Sequence, residues 1–258
     1  MKGKILGLAA YGNPNKVYKV MKKLIYFDKK NQNFKGGFCD GYLPLFENKY
    51  FKKIFKNFNR EDISAAAQKV LEEVILSYIK SINKKNYRLA LAGGVFANVK
   101  LNQKISNLKN VKEIFIFPNM GDGGLSVGAA SLSYNKNTKK NLKKIENVYL
   151  GKEFTNSNIL NSIKKFKLKY LRGDSVKEIV AKKLYEGKII AIFNGRMEFG
   201  PRALGNRSIL SRAIDPNINK TLNKKLKRTE FMPFAPITLE ENFNEMYLNT
   251  KKNMKASR

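Results

Sequence analysis

The stretch LAGGVFANVKLN, Leu91 to Asn102, decides the fold. A short apolar run, Tyr87 to Leu91, leads into Gly93-Gly94, and from Val95 to about Leu108 apolar residues return at helical spacing. That order is a strand, a glycine turn and a helix. It recurs downstream, where Glu113 to Phe117 is a second apolar strand and Gly121-Asp122-Gly123-Gly124 a second glycine turn. Leu125 to about Leu132 follows as a helix of small residues. Upstream, Ile63, Ala67, Val70, Leu71, Val74, Tyr78 and Ile82 recur at steps of three and four. They predict one long amphipathic helix from Asp62 to Ile82, ended by Lys84-Lys85-Asn86. Helices alternating with strands predict an α/β fold.

Further out the pattern changes. Residues 1–58, punctuated by Gly36, Gly37 and Gly41, read as irregular β-rich structure. Tyr134 to Asn147 is polar and rich in Lys and Asn, the composition of an exposed linker. It predicts a first domain over 1–134, a linker over 135–147 and a second domain over 148–258. In the second, Val148 to Leu150 opens the unit, and Thr155 or Asn156 is expected to cap a helix reaching about Phe166. Asp174 or Ser175 should cap another through Glu186, with Gly187 as its left-handed stop. Lys188 to Phe193 reads as a buried strand, Ser208 to Ile214 as its return strand, and Asn217 to Lys227 as a last helix.

Composition narrows the class. With 43% hydrophobic residues in 258, the chain can build a packed core and is not of disordered type. No apolar run reaches the roughly 18 residues of a spanning helix. The opening MKGKILGLAAYGNP has a short apolar stretch that enters a Tyr-Gly-Asn-Pro turn rather than a cleavage site, so the expected location is cytoplasmic. The lone Cys39 excludes an internal disulfide and a cysteine zinc cluster. A net charge of +31 would ordinarily suggest nucleic acid. The excess is mostly scattered Lys among Asn, Ile, Tyr and Phe, residues of A/T-rich codons, and no basic stripe is interleaved with aromatics. A lysine-coated surface is therefore favoured over nucleic-acid binding. Arginine is more informative: of nine, Arg196, Arg202, Arg207 and Arg212 fall within seventeen residues. A guanidinium grips phosphate or carboxylate bidentately, which an ammonium cannot copy.

Three motifs carry candidate chemistry. Gly93 and Gly94 would let the backbone approach a phosphate or sugar at a helix N-terminus, with Asn98 bonding a nucleotide or closing the loop on itself. A tight turn without ligand fits equally well. In FPNMGDGGLSVGAA, Phe117 to Ala130, Asp122 sits between Gly121 and Gly123 and suits a metal or metal-bound phosphate, or serves as a helix N-cap. In NGRMEFGPRALGNRSIL, Asn194 to Leu210, three arginines and Glu198 share a turn shaped by Gly200, Pro201 and Gly205. This is the first place to look for an anion site, with an Arg202–Glu198 bridge as the structural alternative.

GKILGLAAYGNP, LAGGVFANVKLN, GDGGLSVGAA, GRMEFGPRALGNRSIL and RTEFMPFAP, in this order, resemble successive motifs of the NodU/CmcH O-carbamoyltransferases. Those enzymes modify nodulation factors, cephamycins and other natural products, and the resemblance runs from Gly3 to about Glu241. It implies the later half of an actin-like ATPase (ASKHA) domain followed by a partial YrdC-like α/β domain. It further implies that carbamoyl phosphate and ATP form a carbamoyl adenylate, and that the carbamoyl group passes to a hydroxyl of a sugar or natural-product acceptor near a divalent metal such as Fe(II). By motif, Gly93, Gly94, Asn98, Gly121 and Gly123 would line the nucleotide site and Asp122 would be a metal ligand. Arg196 and Arg202 would hold phosphate, with Arg207 assisting or bracing the loop. The family's upstream His motif has no counterpart here, since the chain has no His. The expectation is a fragment that needs metal ligands from outside this chain, supplied by an upstream companion chain or a homodimer, and that is inactive by itself. The competing readings are an inactive remnant binding nucleotide or a partner chain, and a basic nucleic-acid-binding protein.

Overall fold

The structure is a computed structural model describing residues 2–37, 49–82, 87–141, 143, 145–228 and 234–247. Gly41, Cys39, Lys84-Lys85-Asn86 and the middle of the RTEFMPFAP motif, 229–233, lie outside the described residues. The described residues group into two compact units, one drawn from 1–116 and 219–255, the other from 117–218.

The first unit is organised by one long helix. In chain order it holds α1 (Lys2–Ala9), a 3-10 turn Pro14–Lys16, α2 (Tyr18–Leu24), a hairpin of β1 (Tyr26–Asp28) and β2 (Asn33–Lys35), α3 (Lys49–Phe55) and α4 (Arg60–Ser81). Strand β3 (Tyr87–Leu91), α5 (Val99–Ser106) and β4 (Val111–Ile116) follow. The expectation of β-rich structure before residue 58 is corrected: α1, α2 and α3 are helical, and the β1–β2 hairpin is the only sheet described there. Val17, Met21 and Leu24 recur at helical spacing and bury against Ala66, Val70 and Val74 of α4, so tertiary packing fixes these short helices.

Helix α4 begins within two residues of its predicted start because Asn59 accepts the Asp62 amide at 2.7 Å, while Glu61 and Asp62 complement the helix dipole. It buries more than the apolar stripe. Tyr78 and Ile82 of the predicted face are exposed, while Asp62, Gln68 and Glu72 are buried. Each of the three has a hydrogen-bond partner, as burial of polar groups requires. Asp62 accepts the Asn13 amide at 2.6 Å and pairs with Lys16 at 3.1 Å, clasping the Tyr-Gly-Asn-Pro turn to the head of α4. Gly12 is required at this contact, because a Cβ there would lie 2.0 Å from the Glu61 carbonyl oxygen.

Strands β3 and β4 pair in parallel, with Leu89 opposite Ile114 and Leu91 opposite Ile116, and α5 lies between them in sequence. Ile79, Leu91, Leu101, Ile105 and Ile114 form a second apolar cluster. This is the predicted strand–turn–helix–strand, and it establishes the α/β class. The two family folds expected within that class need more strands than the two-stranded sheets described here.

The second unit is built differently. Helix α6 (Leu125–Thr138) runs into the polar stretch that reads as linker and ends at the left-handed Lys139. Helix α7 (Asn156–Lys165) starts with the expected Thr155, in a reciprocal capping box with Asn158. Helix α8 (Val176–Tyr185) lacks the expected cap, since Ser175 makes no side-chain capping bond. Its stop is as predicted: Gly187 has φ +77°, its amide bonds Leu184 O and that of Lys188 bonds Lys183 O. Strands β5 (Ile190–Phe193) and β6 (Arg207–Leu210) pair antiparallel, with Phe193 opposite Arg207. Strand β5 is not buried as predicted, and Phe193 is exposed. Among the described residues of this unit only Val148, Glu198 and Ser208 are buried. Two helices close the described chain, α9 (Ile218–Lys225) and α10 (Phe243–Met246), and from residue 219 onward they group with the first unit. No helix among the described residues is long and apolar enough to cross a membrane.

Two outcomes are expected from this architecture. Gly12→Ala forces a backbone clash and should destabilise the chain by about 1–3 kcal/mol, read as a lowered thermal midpoint; an unchanged midpoint would contradict the clasp. Limited proteolysis should cut first within 139–147, whose described residues are irregular and mostly exposed, and a first cut within 188–210 would contradict it.

Candidate functional site

The loop from Asn194 to Asn206 joins β5 to β6, and a buried carboxylate shapes it. Glu198, 8% exposed, receives on Oε1 the backbone amides of Leu204 at 2.9 Å, Asn206 at 2.7 Å and Arg207 at 3.1 Å. Burial pushes its pKa up, but backbone hydrogen bonds outweigh burial and hold it at about 2. Charge-assisted bonds contribute about 1.5–3 kcal/mol each, whereas an exposed ion pair contributes about 0.2–1 kcal/mol. The amides therefore win, and the Arg202–Glu198 bridge weighed from the sequence is absent.

The rest of the loop braces this clasp. Gly205 N donates to Ser208 Oγ at 2.8 Å, Asn206 Nδ2 to Arg196 O at 2.7 Å, and Tyr149 OH to Leu204 O at 3.0 Å. Glycine is needed where the chain folds back, since Gly195, Gly200 and Gly205 all have positive φ. A Cβ on Gly200 would also stand 2.8 Å from Pro118 O. Phe199 meets Phe117 edge-on at 6.0 Å between ring centres, so the arginine loop sits against the segment that leads into Gly121-Asp122-Gly123-Gly124.

The four arginines have different fates. Arg207 donates to Asn194 O at 2.6 Å, Asn206 O at 3.0 Å and Gly195 O at 3.1 Å, and its guanidinium lies 3.6 Å from the centre of the Phe193 ring. It is a strut. Arg212 donates to Tyr185 O at 2.9 Å and stacks over that ring. Arg196 donates from Nε to Gly151 O at 3.0 Å, and its exposed side chain makes no other hydrogen bond among the described residues. Arg202 is exposed and makes no hydrogen bond or ion pair among the described residues.

Asp122 is exposed at the head of the 3-10 turn Asp122–Gly124. Gly121 occupies the N-cap position with no side-chain capping bond, so Asp122 is not the helix cap that one reading of the sequence allowed. Gly124 has no room for a side chain, since a Cβ there would lie 2.2 Å from the Asn119 carbonyl oxygen. Among the described residues no group of three or more His, Cys, Asp or Glu side chains could hold a metal ion. Asp122 is one carboxylate, and a divalent metal needs more donors than the described residues bring to it.

In the first unit, Gly93 has φ +110° and open space where a Cβ would stand, and Gly94 begins the 3-10 turn Gly94–Ala97. The Asn98 side chain is engaged within the protein. It caps α5 by accepting the Leu101 amide at 3.1 Å and donates to Gln68 Oε1 at 2.7 Å. Gln68 in turn bonds Glu72 at 2.7 Å, and Glu72 pairs with Lys104. Sequence reasoning missed this buried chain. Its trace was the polar pair Gln68 and Glu72, one helical turn apart.

The described elements define an α/β chain with a carboxylate-clasped arginine loop, and comparison with known proteins narrows the class. Residues 1–131 match the family model described as carbamoyltransferase N-terminus, and residues 181–257 match carbamoyltransferase C-terminus. The chain belongs to the NodU/CmcH family of carbamoyltransferases. It is 36% identical over 263 residues to an uncharacterized protein of Methanocaldococcus jannaschii, covering 97% of this chain and 43% of that one. Nodulation protein NolO of Bradyrhizobium diazoefficiens is 30% identical over 255 residues, 95% of this chain and 46% of its own. The 3'-hydroxymethylcephem-O-carbamoyltransferase of Streptomyces clavuligerus is 24% identical over 254 residues, 95% and 45% respectively. The chain thus spans less than half the length of these relatives.

The different roles of the arginines predict different stabilities. Arg207→Ala should cost about 1–3 kcal/mol by removing the strut's bonds and ring contact. Arg202→Ala should stay within about 0.5 kcal/mol of the wild type. Equal thermal midpoints for the two variants would contradict the assignment.

Proposed function

We propose that this chain forms part of an O-carbamoyltransferase whose arginine loop holds the phosphate groups of carbamoyl phosphate and ATP. Water releases phosphate from carbamoyl phosphate, and the resulting carbamate oxygen attacks the α-phosphate of ATP with pyrophosphate leaving. The carbamoyl carbon of the adenylate so formed is then attacked by a hydroxyl of a sugar or natural-product acceptor, with AMP leaving. The observation that carries the phosphate reading is Arg202: an exposed guanidinium with no internal partner among the described residues, on a loop that is internally clasped. Charge moves between phosphate oxygens in such a step, so a guanidinium carried on the clasped loop stabilises the transition state by electrostatics. The terminal nitrogens of Arg196, whose Nε alone is engaged, serve as a second grip, and Arg207 braces.

In this reading residues 1–134 are the later part of an actin-like ATPase domain and residues 148–258 the start of a YrdC-like domain, joined by a linker over 135–147. Gly93 and Gly94 let the nucleotide approach the backbone, with Asn98 fixing the helix behind them. Gly121 and Gly123 leave Asp122 uncovered. A divalent metal such as Fe(II) belongs to this reading only with ligands from outside the chain, brought by a companion polypeptide or a second copy. Dependence on ATP and carbamoyl phosphate assigns the reaction to the cytoplasm.

The test is calorimetric titration of the chain with ATP and with carbamoyl phosphate. Arg202→Lys keeps the charge but loses the bidentate fork, and should weaken binding roughly ten- to a hundredfold, about 1.5–3 kcal/mol, with the thermal midpoint unchanged. Undiminished binding by the variant would contradict the reading.

A further inference from the structure

We propose that Glu198 is the positioning residue of the arginine loop, and that it acts by keeping a carboxylate away from Arg202. The inference rests on the reading of this loop as a phosphate site. A glutamate four residues from Arg202 and two from Arg196 would ordinarily neutralise one of them and compete with any incoming anion. Here its Oε1 is turned inward, where the amides of Leu204, Asn206 and Arg207 satisfy it. Two consequences follow from this one placement. The far limb of the loop is tied back to residue 198, so that Arg202, midway between the tied ends, stands exposed on a loop of fixed shape. Arg207, whose amide is one of the three, is drawn in beside Phe193, where its guanidinium braces the carbonyls of Asn194, Gly195 and Asn206. Glu198 therefore separates a gripping arginine from a bracing one within six residues, and it never touches the anion itself. Its low pKa keeps the carboxylate ionised throughout the neutral range, so the clasp is not a pH switch there.

The experiment is a double-mutant cycle on pyrophosphate binding by the full chain, with wild type, Glu198→Gln, Arg202→Ala and the double variant. The expected result is that each single variant binds at least tenfold more weakly than wild type and that the double variant is no weaker than the weaker single. A purely structural glutamate predicts unchanged affinity in Glu198→Gln below its melting temperature, and that result would overturn the inference while leaving the phosphate reading intact. Failure of the wild type to bind pyrophosphate would overturn both. Should Glu198→Gln not fold, wild type is mapped with phenylglyoxal, and Ser208→Ala, which loses only the Gly205 bond, replaces it in the cycle. Fastest modification at Arg202, blocked by pyrophosphate, with Arg207 protected, supports the inference; equal reactivity of Arg202 and Arg207 overturns it.

Discussion

The second unit depends on one carboxylate oxygen accepting three backbone amides. With only Val148, Glu198 and Ser208 buried among its described residues, apolar burial cannot hold the arginine loop. Hydrogen bonds to Glu198 do so instead, and the geometry around them follows. Three glycines take left-handed turns because the chain must fold back tightly enough to aim its amides at one point. Seated in this way, the loop meets Phe117 and Pro118 through Phe199 and Gly200, at the entrance to the turn that carries Asp122.

The first unit solves the same problem by other means. Helix α4 supplies two apolar clusters and also buries Asp62, which holds a turn, and Gln68 and Glu72, which hold α5 through Asn98 and Lys104. Asp62 fixes the Tyr-Gly-Asn-Pro turn, and the Gln68–Asn98 bond fixes the start of α5 just behind Gly93-Gly94. Motif residues that look like ligand contacts in the sequence thus divide into those that build the loop and those left open. Asn98 builds; Gly93 stays open.

Much of the fold was legible wherever the signal is local. The periodicity of α4, the strands beside the two glycine turns, the Thr155 cap and the Gly187 stop all stand where the sequence put them within a few residues. The helices before residue 58 were not legible, because Val17, Met21 and Leu24 acquire meaning only against α4. The extension of α6 to Thr138 was hidden because exposed polar residues suit a solvated helix as well as a linker. At the site, the arginine cluster was visible but not its division of labour. Backbone amides leave no mark in a sequence, so Glu198 looked like a partner for Arg202, and Arg202 and Arg207 looked alike. The same limit applies to Asp122, whose loop was legible but beside which the described residues assemble no group of three or more His, Cys, Asp or Glu side chains that could hold a metal ion.

The measurement that tests the central claim most directly is an NMR titration of the Glu198 carboxyl, followed through the amide signals of Leu204, Asn206 and Arg207. A folded-state pKa of about 2, below the ordinary 4.5, means that the clasp stabilises the loop above pH 4.5 and loses that stabilisation as pH falls toward 2. The account predicts that the three amide signals hold steady from neutral pH to below 4.5 and then shift together toward pH 2. A common midpoint at the ordinary carboxyl value, or three amides that do not respond to this group at all, would contradict it.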